Sequence, residues 1–341
     1  MTDLDTTEPT TRPVRQCLET TLRRQGYQPV DYPTLAPASR YADHGPGGLL
    51  AVADPADESG ERSARDGDED TEDTDDTEEE TVLVPELTTA LARAVTAGDD
   101  ADPEQSGRWR ATGPCWRAAG VRADDRREFH RTAAIRLDEG GPDADAELLS
   151  LAASALDACG LDGPGARIRV SHRGLLAAVF DSFSGDIDIE AALTATATHD
   201  TTAEAYHEAL VEAGLNYGQA DTLTELLGVG IADLDALADL TGSDAVRSAV
   251  DDLRTVLDAA GEVVERVEVS LAALPDRPYD TGITVRVAGT ADGHPPAVLG
   301  GRFDARPLAS GTSGASGAEP RPAVGLEFDH PVLARLRSRA E

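Results

Sequence analysis

Two short stretches carry the residue types best suited to chemistry. Gly113-Pro114-Cys115-Trp116-Arg117 ends an apolar run on an arginine, and Arg127-Glu128-Phe129-His130-Arg131 opens the return after a polar loop. A strand closing on a guanidinium, a charged hairpin and a return strand rich in arginine form a nucleotide-handling pattern. The planar fork of arginine grips phosphate and carboxylate in a geometry that lysine cannot copy. Cys115 reads as a small buried hydrophobe and His130 as a structural hydrogen-bonder, because nothing near either in sequence tunes it for reaction.

The elements that must hold this hairpin follow from periodicity. Val14, Leu18 and Leu22 recur at four-residue spacing and predict a helix from Val14 to Gln25, stopped by Gly26. Trp109 to Trp116 and Glu128 to Leu137 form the candidate antiparallel pair. Asp143 opens a helix that runs to Gly160. Ile168-Arg169-Val170 reads as a strand and Leu175 to Phe183 as a helix, with His172-Arg173 an architectural turn into it. Residues 186–261 repeat Ala and Leu at helical spacing without a good strand. Val267, Val269 and Leu271, then Ile283, Val285 and Val287, alternate with period two. Val324 to Glu327 is a short strand before a closing helix whose Arg337 and Arg339 suit a C-terminus. Strands dispersed among helices without regular β-α-β spacing predict a mixed α+β fold.

Composition bounds the partners. The chain has 341 residues, a net charge of −34, and no lysine, so all 30 basic residues are arginine. Acidic residues spread along the whole chain indicate a surface adapted to high salt, where repulsion is screened and carboxylates hold water. They disfavour nucleic-acid binding, which needs a basic footprint. Eleven carboxylates fall within the fifteen residues Asp66 to Glu80. Residues 54–80 are therefore expected to be a disordered acidic loop, residues 1–12 a polar tail, and 307–322 a Gly/Ser/Pro-rich loop. Cys17, Cys115 and Cys159 stand apart, so neither a disulfide framework nor a zinc site is expected. No apolar run approaches a membrane span and the start lacks signal-peptide character, so the expected location is cytoplasmic.

The hairpin resembles motif 2 of class II aminoacyl-tRNA synthetases, in the form used by the histidyl branch. Further segments are similar in the same order. Tyr32-Pro33-Thr34-Leu35 resembles motif 1, and Val84-Pro85-Glu86-Leu87-Thr88 with Arg93 resembles the Arg-Pro-Glu-Gly-Thr segment. Pro278-Tyr279-Asp280-Thr281-Gly282 resembles Asp-Tyr-Tyr-Thr-Gly, Gly300-Gly301-Arg302-Phe303-Asp304 resembles Gly-Gly-Arg-Tyr-Asp, and Val324-Gly325-Leu326-Glu327-Phe328 resembles motif 3. The resemblance spans roughly residues 14–330. It implies a class II synthetase-like core over residues 13–337, an antiparallel sheet flanked by helices, with a helical insertion at 186–261 and no anticodon-binding domain.

The resemblance also implies an amino-acid site. Glu86 and Thr88 would hold an ammonium group and Arg117 a carboxylate, with Tyr279 beside them; Arg127 and Arg302 would meet nucleotide phosphate. Several positions depart from the family. Ala119 stands for a glutamate, Arg131 for a glutamine, Phe328 for the motif 3 arginine, and Ile135 for the glutamate that reads the substrate imidazole. Pro275 stands for an arginine, with Arg277 two positions out of register. These departures, with Leu87 in place of a glycine, point toward the regulatory subunits of ATP phosphoribosyltransferase. The expectation is a non-catalytic homodimer that senses histidine, needs no cofactor and partners the transferase catalytic subunit. Two alternatives stay open: a truncated ligase activating an amino acid for a non-tRNA acceptor, and a ligand-free dimeric scaffold.

Overall fold

The computed structural model describes residues 11–41, 48–52, 80–96, 107–118, 126–137, 139–162, 166–197, 203–226, 230, 233–275, 277–287, 295–305 and 321–340. The expected acidic loop lies outside the described residues apart from Glu80, and so does the expected 307–322 loop apart from Arg321 and Pro322.

The order of elements begins with α1 (Arg12–Arg24), β1 (Gln28–Pro29), β2 (Leu35–Pro37), β3 (Leu50–Ala51) and β4 (Thr81–Leu83). Helix α2 (Leu87–Thr96), the hairpin β5 (Gly107–Trp116) and β6 (Glu128–Leu137), α3 (Pro142–Ala158), β7 (Ile168–His172) and α4 (Arg173–Ser182) follow. Residues 186–261 hold α5 (Ile189–Ala197), α6 (Ala203–Glu212), α7 (Tyr217–Leu226), α8 (Leu234–Thr241) and α9 (Asp244–Ala259), and no strand among the described residues. The chain returns through β8 (Val267–Val269), β9 (Asp280–Val287), β10 (Val298–Asp304) and β11 (Pro322–Asp329) to α10 (His330–Ala340).

Local chemistry explains these starts and stops. Helix α1 begins two residues before the expected Val14, because Pro13 fits the first turn, where its missing N–H costs nothing. Its buried stripe is Val14, Leu18 and Leu22. Helix α3 is preceded by Gly141 at φ +98°, so Asp143 lies in the first turn rather than at the cap. Ser243 caps α9 by accepting from the Val246 N–H at 3.4 Å.

Eight strands form one sheet in the order β1-β5-β6-β11-β10-β9-β7-β8, and β2-β4-β3 form a second, small sheet. The central pairings are antiparallel; β1 joins β5 and β8 joins β7 in parallel. The hairpin is paired over its whole length, from Gly107 opposite Leu137 to Trp116 opposite Glu128. Alternation divides the sheet's side chains between two cores. Ala134, Ile283, Val285, Val298, Val324, Leu326 and Phe328 face the larger one, beneath α1, α3, α4, α9 and α10. Ala133, Ile135, Leu137, Phe303 and Ala323 face the smaller one, which α2 and the small sheet close. The fold is the expected α+β architecture, an antiparallel-dominated sheet flanked by helices.

At the centre of the sheet the strands approach closely. A Cβ on Gly300 would lie 2.1 Å from the Gly325 carbonyl oxygen and 2.6 Å from Leu326 Cδ2. The Gly325 carbonyl is backbone and cannot yield without shifting β11. Gly300→Ala is therefore expected to cost about 1–3 kcal/mol or more, read as a lower midpoint in denaturant unfolding with an unchanged m-value.

Candidate functional site

The site grows from the junction of α2 with β11. The first N–H groups of a helix have no intrahelical acceptor and carry the positive end of its dipole. The buried Glu327 carboxylate meets that need. Its Oε1 accepts from the N–H groups of Leu87 and Thr88, both at 2.5 Å, and from the Thr88 hydroxyl at 3.1 Å. Its Oε2 accepts from Arg131 Nη1 at 2.5 Å. Arg131 is itself buried, lies 4.9 Å over the Phe129 ring, and has Asp329 at 3.7 Å. Thr88, expected to hold a ligand's ammonium, here bonds to Glu327.

Beside this junction Glu86 and Tyr279 come together, as the resemblance implies. The Tyr279 hydroxyl lies 2.9 Å from each Glu86 oxygen. Glu86 Oε1 also accepts from the Thr89 N–H at 3.3 Å and from the Thr89 hydroxyl, so the same carboxylate caps α2. Burial drives the Tyr279 pKa well above its ordinary value against the lowering effect of Arg277, with Glu86 adding to the rise, so the phenol stays protonated and donates. Arg277 stacks 4.7 Å over the Tyr279 ring and faces Asp280 at 3.5 Å. Burial lifts the Asp280 carboxyl to about 6, although Arg277 and Arg173 oppose the shift.

Arg117 follows the last residue of β5 on the same side. Its Nε donates at 3.5 Å to the Pro85 carbonyl, and no carboxylate pairs with it among the described residues. Burial lowers its pKa, and the neighbouring Arg131 adds to the effect, while Glu86 and Glu327 oppose it. Arg127 lies across the hairpin mouth, where its carbonyl accepts the Arg117 N–H at 2.9 Å, and its side chain is exposed. Cys115, between these groups, is fully buried, and burial lifts its thiol pKa well above the usual value.

Arg302 sits elsewhere. Its guanidinium pairs with Asp145 of α3 and, at 3.2 Å, with Asp252 of α9, on the face of the large core. Asp252 in turn pairs with His172 at 3.1 Å, and His172 Nδ1 caps α4 by accepting from the Leu175 N–H at 2.9 Å. Phe328 points to that same face, fully buried, so position 328 on this strand aims away from Glu327 and Glu86. Sequence reasoning thus missed Glu327, Arg131, Arg277 and Asp280 as members of one cluster. The available signal was parity: Arg131, Ala133 and Ile135 on β6, and Glu327 two residues past Gly325 on β11, share a face. Among the described residues no three histidine, cysteine or acidic side chains are placed to hold a metal, and no helix is long and apolar enough to cross a membrane.

An antiparallel sheet carrying a helix-capping carboxylate, a motif 2 hairpin and an uncommitted arginine defines a class II aminoacyl-tRNA synthetase-like core. Residues 49–330 match the family model for histidyl-tRNA synthetase. The histidine–tRNA ligase of Haloarcula marismortui is 34% identical over 331 residues, covering 95% of this chain and 70% of that one. That of Natronomonas pharaonis is 33% identical over 333 residues, covering 96% and 71%. An ATP phosphoribosyltransferase regulatory subunit/histidyl-tRNA synthetase from Bacillus halodurans shares the fold at a TM-score of 0.70 and 20% identity, covering 98% of this chain and 81% of that one. This chain belongs to the histidyl-tRNA synthetase family. The halophilic relatives accord with its acidic composition. They also correct one expectation: substitutions at 119, 131, 275 and 328 suggested a protein that is not an enzyme, whereas relatives matched over nearly the whole chain are ligases. Phe328 itself is fully buried in the large core, on the face of β11 opposite Glu327.

Two variants probe the charges. Glu327→Gln leaves Arg131 buried with only the more distant Asp329, and is expected to cost about 3–5 kcal/mol in denaturant unfolding. Asp145 is raised to about 7 by burial, against the lowering effect of Arg302. The folded state therefore keeps a proton that the unfolded chain, at the ordinary value near ~3.9, has lost. Stability from this carboxyl falls as pH rises from about 4 to about 7, and Asp145→Asn should flatten that slope in thermal unfolding, leaving the share owed to Asp280.

Proposed function

We propose that this chain binds an α-amino acid of the histidine type between Glu86–Tyr279 and Arg117 and activates its carboxylate with ATP. The observation that carries this reading is Arg117: a partly buried guanidinium with no carboxylate partner among the described residues, set beside an acceptor group built from Glu86 and Tyr279. A buried cation calls for an anion. A zwitterion supplies one for Arg117 and offers its ammonium group to Glu86. In activation a carboxylate oxygen attacks the α-phosphorus of ATP, and the bond to pyrophosphate breaks. Arg117 then offsets the negative charge gathered on the α-phosphoryl oxygens, and Arg127, exposed at the hairpin mouth, is available to the outer phosphates.

A finer reading keeps the same amino-acid site and couples its occupancy to a partner, the catalytic subunit of ATP phosphoribosyltransferase. It is favoured by the fold shared with the ATP phosphoribosyltransferase regulatory subunit/histidyl-tRNA synthetase of Bacillus halodurans. Histidine-dependent co-elution of the two proteins tests it.

Activation is tested by histidine-dependent exchange of labelled pyrophosphate into ATP, with the protein in concentrated potassium chloride. Exchange is expected for the unmodified chain and should fall by about 10²–10³-fold in Arg117→Ala. Absence of exchange from the well-folded chain would overturn activation.

A further inference from the structure

Arg93 has no role in the reading above. It stands in the last turn of α2 and is 7% exposed. Its Nε, Nη1 and Nη2 are all buried, and none has a hydrogen-bond partner among the described residues. Three comparably buried arginines differ: Arg131 faces Glu327, Arg173 faces Glu190 and Arg277 faces Asp280. Around Arg93 the groups whose charge is felt, among the described residues, are the Tyr41 phenol and the Arg40 guanidinium. No carboxylate offsets it there.

The consequence follows from elementary electrostatics. Burial lowers the Arg93 pKa, Tyr41 opposes that and Arg40 adds to it, yet a guanidinium stays charged throughout the working range of pH. A buried charge without a partner is strongly unfavourable, and each unpaired N–H adds to the cost. The Tyr41 ring, carried by the short turn Ala38–Tyr41, covers the guanidinium face with its centroid 5.7 Å away. Arg131 over Phe129 and Arg277 over Tyr279 stand closer, at 4.9 Å and 4.7 Å. A ring takes the face alone, so the N–H edge of Arg93 stays available in its own plane.

Donors without a carboxylate exclude a metal ion and select an anion. The guanidinium nitrogens are closed to water, so the guest is compact. The small core around α2 is built from side chains such as Ala36, Val82 and Leu91, which offer no donors to the several oxygens of a phosphate. One positive charge calls for one negative charge.

We propose that Arg93 binds a monatomic, monovalent anion of the chloride type, held edge-on between α2 and the turn Ala38–Tyr41. The site is independent of the amino-acid reading. A chain of net charge −34 repels anions from its surface, so such an ion is retained only where buried donors hold it. The high salt to which this surface is suited supplies chloride, and the bound ion makes stability depend on the identity of the anion as well as on ionic strength.

The test is thermal unfolding of the full chain at constant potassium concentration, with acetate progressively replaced by chloride. The unmodified chain is compared with Arg93→Met and Arg117→Ala. Chloride is expected to stabilise the unmodified chain relative to Arg93→Met, the unfolding constant falling about tenfold for each tenfold rise in chloride above the dissociation constant. Arg117→Ala should keep that dependence, which separates the ion from any anion at the amino-acid site. A second measurement needs no variant: crystals of the unmodified chain soaked in bromide should show an anomalous peak beside the Arg93 nitrogens. The same chloride dependence in Arg93→Met, or no bromide beside Arg93, would overturn the site. So would a midpoint that follows protein concentration instead of chloride, which would assign Arg93 to a carboxylate of a second copy.

Discussion

The site depends on one constraint: the buried N-terminus of α2 must be given an acceptor. Leu87 and Thr88 present N–H groups that no water reaches, and Glu327 crosses from β11 to accept both. That places a full negative charge in the core, which Arg131 from β6 must offset. Three elements distant in sequence are locked in one geometry by the requirement that no buried donor or charge be left alone. Glu86 caps the same helix turn, so the acceptor for Tyr279 is fixed by the same device.

Strand parity then sorts function from architecture. The large core takes one face of the sheet, and its helices bring carboxylates to meet whatever polar side chain emerges there. Arg302 emerges on that face and pairs with Asp145 and Asp252, binding the insertion helix α9 to the sheet through His172. The other face, towards α2, gathers Glu86, Arg117, Arg131, Tyr279, Arg277 and Glu327. A shift of one residue in any central strand would exchange the two sets. The Gly300–Gly325 contact, which no Cβ could enter, helps hold β10 against β11 in this register.

Much of this was legible in the residues. The helix stripe of Val14, Leu18 and Leu22, the hairpin around Arg117 and the alternation of Ile283, Val285 and Val287 each carry a local period, and each appears where expected. Glu86 with Tyr279 was legible as paired motifs. What the residues did not show was occupancy. Nothing local says that Glu327, 239 residues away, holds the Thr88 hydroxyl. Nor does spacing reveal which face a motif residue will take, and so Arg302 and Phe328 were read as site positions. Long-range pairing and strand parity are properties of the closed sheet, and a motif carries neither by itself.

The departure at 131 is better understood through its pairing than as a loss. Four carboxylates and three guanidinium groups converge on this face: Glu86, Asp280, Glu327 and Asp329 with Arg117, Arg131 and Arg277. Arg131 is taken by Glu327 and Asp329, and Arg277 stands against Asp280. Glu86 accepts from the Thr89 N–H and hydroxyl and from the Tyr279 phenol. Among the described residues Arg117 donates to the Pro85 carbonyl and pairs with no carboxylate. Arg117 is thus the guanidinium of this wall that has no carboxylate pair among the described residues. A ligand carrying a carboxylate supplies Arg117 with the anion it lacks there, whereas a simple cation would leave that guanidinium without one.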